Sequence, residues 1–153
     1  AGLGVELATL ADIRIASTRA RFSWIFVRRG LVPDTGAGTW ALPRIVGRQH
    51  AMHLVLSAEF IDAAHAKEIG FVLDVVEPED LAARARALAA QIALGSPFAV
   101  TRAKRLLNMG ASQTRDEHLS THLDVLTQCQ LSADHREGVM AFLEKRPARF
   151  TGS

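Results

Sequence analysis

The chain has 153 residues, 48% hydrophobic and 22% charged, enough apolar side chain to bury a core and too much for disorder or a low-complexity polymer. Lys plus Arg number 18 against 16 Asp plus Glu, a balance of +2 spread along the sequence, so no basic arm for nucleic acid stands out. The single cysteine, Cys129, excludes an internal disulfide, and no stretch of about 18 apolar residues offers a membrane span.

A soluble, cytoplasmic protein is the resulting expectation. The opening residues, Ala1-Gly2-Leu3-Gly4-Val5-Glu6, carry neither an initiator Met nor the basic-then-apolar plan of a signal peptide, and they read as the middle of a longer polypeptide. After the Gly2-x-Gly4 turn, the spacing predicts a helix over Val5 to Ala11 and a strand over Asp12 to Ala16. Aromatic and β-branched residues predict extended chain from Arg21 to Val27, and Pro33 with Gly30 and Gly36 predicts a loop. Helices are expected near Gly36 to Leu42, Gly47 to Leu56 and Asp62 to Ile69, the last capped by Asp62 and stopped by Gly70, with a buried strand from Phe71 to Val76 after it. Beyond Pro78 the pattern is helical. One helix runs until Gly95-Ser96-Pro97, and three more cover about Phe98 to Asn108, Arg115 to Gln130 with a Leu119, Leu123, Leu126 stripe, and Asp134 to Lys145 with Val139, Phe142 and Leu143 inward. The layout is a mixed α/β front, residues 1–76, and a helical rear, residues 77–153. A pair of short strands is marginal alone, so chain upstream or another copy of the protein is expected to complete the sheet.

Chemistry has three candidate carriers. The backbone N–H groups around Leu3, bracketed by Gly2 and Gly4 at a helix start, face away from intrahelical acceptors and lie at the positive end of the helix dipole. Such a turn serves either as a tight corner or as an oxyanion cradle, and a preorganised donor of the second kind is worth roughly 3 kcal/mol in a transition state. Glu6 in the first helical turn and Asp34 after Pro33 each fit a capping role. Together they also fit proton transfer beside a thioester carbonyl, which needs a base for the α-proton and N–H groups for the enolate.

The run from Ala1 to Ala16, with its G-x-G, helix and Ala11-Asp12-x-x-x-Ala16, resembles a segment of the enoyl-CoA hydratase/isomerase, or crotonase, superfamily. Phe22, Gly30-Leu31-Val32-Pro33-Asp34, Leu42-Pro43-Arg44, Gly47, Ser57 to Ala63, Ala66, Gly70-Phe71-Val72, Glu137-Gly138, Ala141-Phe142 and Lys145-Arg146-Pro147 continue the likeness in order and spacing, over essentially the whole chain. The resemblance implies an α/β fold: the C-terminal part of a crotonase-like (ClpP/crotonase) ββα superhelix, followed by a helical trimerisation region. It implies an acyl-CoA thioester as substrate, no other cofactor, and a homotrimer or dimer of trimers. Leu3 matches one of the family's two oxyanion donors, and Glu6 one of the two glutamates with which hydratases activate water. The second glutamate is replaced by Phe26, whereas Asp34 matches an aspartate that some family isomerases use to carry a proton. Double-bond isomerisation therefore fits better than hydration. Gly2, Gly4 and Phe26 are expected beside the substrate, and Phe142 and Lys145 are candidates for contacting CoA.

Other features point elsewhere or nowhere. His118 and His122, like His50 and His53, have metal-compatible spacing but no third ligand nearby, so no metal is expected. Arg14, Arg19, Arg21, Arg28 and Arg29 form a modest basic zone, a solvated face that is compatible with CoA phosphates. The competing reading is a truncated or non-catalytic oligomerisation module, in which the helical rear holds subunits together.

Overall fold

A computed structural model describes all 153 residues. The chain divides into two compact units, Ala1–Arg86 and Ala87–Ser153. The first is built from α1 (Leu3–Leu10), β1 (Ile15–Ser17), β2 (Arg21–Phe22), a 3₁₀ turn (Ile25–Arg29), α2 (Ala37–Trp40), α3 (Leu42–Ser57), β3 (Ile61–Asp62), α4 (Ala63–Glu68) and β4 (Asp74–Val76). Helix α5 (Leu81–Ile92) follows, and the second unit carries α6 (Pro97–Gly110), α7 (Arg115–Leu131) and α8 (Ala133–Leu143).

The strands form two separate pairs. β1 runs parallel to β4 with Ala16 opposite Val75, and β2 runs antiparallel to β3 with Phe22 opposite Ile61. Sheets this small hold their place through side chains, and Phe71 supplies the centre: its ring meets Phe22 at 5.2 Å and Trp24 at 5.1 Å, both edge-to-face. Trp24, Leu42 and Leu54 are fully buried in the same cluster. Arg14 closes the end of α1. Its guanidinium donates to the carbonyls of Ala8, Thr9, Ala11 and Phe71 and lies 5.1 Å from the Phe71 ring, placing a cation at the negative pole of the helix. Burial lowers its pKa, opposed by the nearby Asp12 charge. Within the expected basic zone, Arg14 thus serves the fold.

Several boundaries depart from the sequence reading. Extended chain was expected through Val27, but only Arg21–Phe22 is strand; Ile25–Arg29 coils into a 3₁₀ turn that Gly30 ends at φ 71°. Aromatic and β-branched content is the shared signature of strands and of any buried segment, and here burial of Trp24 and Phe26 dictates it. Phe71 and Val72 are buried but lie ahead of β4, so the expected strand shrinks to Asp74–Val76. The helix expected from Gly47 begins at Leu42 and breaks at Gly47, whose φ of 79° and ψ of 159° interrupt it. Asp62 does cap α4, accepting from the His65 N–H at 2.8 Å, and Gly70 stops the chain at φ 77°.

In the second unit the inward face of α8 is Asp134 and Ala141, both buried, with Gly138 against the Phe150 ring. Val139, Phe142 and Leu143, expected inward, are exposed, Phe142 by 83%. The stripe of Leu119, Leu123 and Leu126 on α7 is exposed as well. Asp134 instead holds the C-terminal residues: its carboxylate accepts from Ser96 Oγ, from Thr151 N–H at 2.8 Å and from Gly152 N–H at 3.1 Å. Burial pushes its pKa up, and these hydrogen bonds outweigh that and leave it lowered.

Two half-buried carboxylates couple stability to pH. Asp74 is held at about 2 by hydrogen bonds from Arg84 at 3.0 Å and Lys67 at 3.1 Å, with the Val75 N–H adding a third. Glu137 is likewise held at about 2 by Arg146, through its two terminal guanidinium nitrogens at 2.6 and 2.9 Å, and by the Arg149 N–H. A carboxylate depressed in the folded state stabilises it above the unfolded pKa of about 4 and loses that contribution as pH falls toward the folded value. Glu137→Gln should therefore lower Tm at neutral pH and flatten its decline on acidification from about pH 5 to 2. Parallel declines in variant and parent would show that this pair does not contribute to the acid limb.

Candidate active site

Gly2 caps α1 with φ 57° and ψ −132°, a backbone state that L-residues avoid. Its carbonyl accepts the N–H groups of Val5 at 3.1 Å and Glu6 at 3.2 Å, which leaves the Leu3 and Gly4 N–H groups without a protein acceptor. Leu3 is exposed, and a Cβ on Gly2 or Gly4 would meet nothing within 4 Å. The head of α1 is thus an open pair of aligned donors.

Three residues further on, Glu6 turns inward and has no exposed surface. Its Oε2 accepts the Thr35 hydroxyl at 2.7 Å and its Oε1 accepts the Gly38 N–H at 2.9 Å. Thr35 Oγ1 in turn accepts the Ala37 N–H at 3.3 Å, so its own proton is committed to Glu6. Asp34 directly precedes Thr35 and is exposed, in a turn closed by the Gly36 N–H on the Pro33 carbonyl. The two carboxylates therefore belong to one construction: Glu6 anchors the turn from within, while Asp34 stands on its outer surface.

Gly38 is the residue that sequence reasoning missed. An ideal Cβ there would lie 2.7 Å from Glu6 Oε1 and 2.7 Å from Trp24 Cδ1, so only glycine lets this backbone approach. The available signal was a second glycine, Gly38, two residues beyond Gly36 in the Asp34 loop. Phe26 is packed in the core at 6% exposure, among Val5, Trp24 and Leu42. Phe142 and Lys145 are exposed in the second unit, Lys145 at φ 53° just past α8. His118 bonds Gln113 through Nδ1 at 3.1 Å, and its ring lies 6.3 Å from that of His122; no group of three metal-ligating side chains occurs.

The fold is that of the crotonase-like class, as the solved enoyl-CoA hydratases that superimpose on it over 99% of the chain show. The chain belongs to the enoyl-CoA hydratase/isomerase family, whose model matches residues 1–153. It is 42% identical over 152 residues to the 1,2-epoxyphenylacetyl-CoA isomerase of Escherichia coli, covering 99% of this chain and 58% of that protein. It is 43% identical to a probable enoyl-CoA hydratase of Rhodobacter capsulatus, covering 99% and 59%. Among solved structures, enoyl-CoA hydratase from Bacillus anthracis superimposes with a TM-score of 0.96 at 32% identity, over 99% of this chain and 58% of that one. The enoyl-CoA hydratase from Mycobacterium tuberculosis gives 0.95 at 34%, over 99% and 60%. The chain thus spans about three fifths of the length of these relatives. No helix is long and apolar enough to cross a membrane.

Proposed function

We propose that the protein containing this chain moves the double bond of an enoyl-CoA. The observation that carries this reading is the open amide at Leu3, on the helix whose Glu6 anchors the Asp34 turn. The thioester oxygen accepts the Leu3 N–H, which favours negative charge on that oxygen. A carboxylate of the Glu6 and Asp34 pair removes a proton from carbon; the C–H electron pair enters the enolate, and the same acid returns the proton further along the chain. Phe26, which can neither donate nor accept a proton, stands where a second glutamate would support water addition, and this favours isomerisation over hydration. The substrate is its own acyl carrier, so the reaction needs no other cofactor.

Crotonyl-CoA and a 3-enoyl-CoA, assayed side by side for water addition and double-bond movement, test the reading. Double-bond movement without hydration is expected. Hydration of crotonyl-CoA with no shift of the 3-enoyl double bond would overturn it.

The helical unit supports a second, compatible role in assembly, as a cytoplasmic homotrimer or dimer of trimers. Leu119, Leu123 and Leu126 on α7 and Phe142 on α8 are exposed apolar side chains of the kind that subunit interfaces cover. The mass of the protein in solution checks this, and a monomer would contradict it. A protein that assembles but turns over neither substrate would instead support the non-catalytic oligomerisation module.

A further inference from the structure

We infer that Glu6 is a positioning residue, held by Thr35 and Gly38, for the proton carrier that the family resemblance places at Asp34; this rests on the isomerase reading above. Glu6 has no exposed surface, and each carboxylate oxygen already faces a donor of its own chain, Thr35 Oγ1 at 2.7 Å and Gly38 N–H at 2.9 Å. A substrate carbon cannot touch it unless the loop from Pro33 to Gly38 moves. The same bonds make it an effective tie. Glu6 N–H bonds the Gly2 carbonyl at 3.2 Å, the oxygen of the same peptide group that carries the Leu3 N–H, while its side chain grips Thr35 and Gly38, one and four residues beyond the exposed Asp34. One side chain thereby fixes the separation between the oxyanion donor and the proton carrier, and charge-assisted bonds at both oxygens keep that separation stiff. The Ala37 N–H on Thr35 Oγ1 completes the arrangement by orienting the hydroxyl proton toward Glu6.

Thr35 offers the sharpest test, because it touches neither substrate nor proton in this assignment. Thr35→Val removes the hydroxyl at nearly constant volume, and Thr35→Ser restores it. In the full-length protein acting on a 3-enoyl-CoA, Thr35→Val should lower kcat roughly tenfold with KM changed less than about twofold, the mark of a mispositioned group rather than lost binding. Thr35→Ser should recover kcat to within about twofold of the parent. Glu6→Gln should retain turnover resembling that of Thr35→Val and far above that of Asp34→Asn. A Thr35→Val kcat equal to the parent's, or a Glu6→Gln variant as inactive as Asp34→Asn, would overturn the assignment. If the parent protein moves no double bond, the isomerase reading fails and the tie is judged by hydrogen exchange at the Gly38 amide. Exchange several-fold faster in Thr35→Val but not in Thr35→Ser supports the tie, and equal rates in all three refute it.

Discussion

Asp34→Asn should all but abolish isomerisation of a 3-enoyl-CoA, with kcat falling by about 10²–10⁴ and KM staying within a few-fold, the range removed with a general acid–base group. The substitution keeps the size and most of the hydrogen-bonding shape of an exposed side chain, so Tm should change little. The Thr35 and Gly38 bonds to Glu6 do not involve the Asp34 side chain and remain in place. Chemistry is therefore separated from architecture, and full turnover in the variant would remove Asp34 from the mechanism.

Gly38→Ala should have the opposite profile, a large loss of stability together with the loss of activity. The added methyl would sit 2.7 Å from both Glu6 Oε1 and Trp24 Cδ1 and 3.1 Å from Pro33 Cγ. Glu6 and Trp24 are fully buried, so neither can swing into solvent to make room. Overpacking of this kind costs about 1–3 kcal/mol, and a strained bond to a buried carboxylate adds to it, for a total of ~3 kcal/mol. For a chain of this length that corresponds to a Tm lower by roughly 6–12 °C. Gly4→Ala is the informative control: the position is helical and its Cβ meets nothing within 4 Å, so Tm should hold or rise slightly. A Gly38→Ala protein as stable as its parent would show that the loop yields easily and that the Glu6 tie is soft.

The parts of this fold that were legible in the sequence are those written in local chemistry. The Asp62 cap and the Gly70 stop each depend on residues a few positions apart, and both are found where the sequence places them. The resemblance carried by the glycine-bracketed helix and the Gly30 to Asp34 segment likewise leads to the family that the chain belongs to. What escaped depends on distant partners. Nothing around Ile61 announces a two-residue pairing with Phe22, and nothing around Gly38 announces a carboxylate 32 positions away. The face of α8 was misread because Phe142 looks like core by type, whereas small Ala141 and charged Asp134 take the buried places. Asp134 is buried because Ser96, Thr151 and Gly152 surround it with donors, a condition set by chain far from it in sequence.

The geometry of Gly2 bears on how this protein can be dissected. In the proposed reaction the atom aimed at the thioester oxygen is the peptide nitrogen of Leu3, and trimming that leucine's side chain leaves the nitrogen where it is. Alanine scanning would therefore score the position as dispensable, although the proposed reaction leans on it. The sensitive residue is its neighbour: any side chain at Gly2 would resist φ 57° with ψ −132° and swing the peptide plane, turning the donor off its target. The most consequential group of this site is thus invisible to side-chain replacement at its own position and reveals itself only through the residue before it.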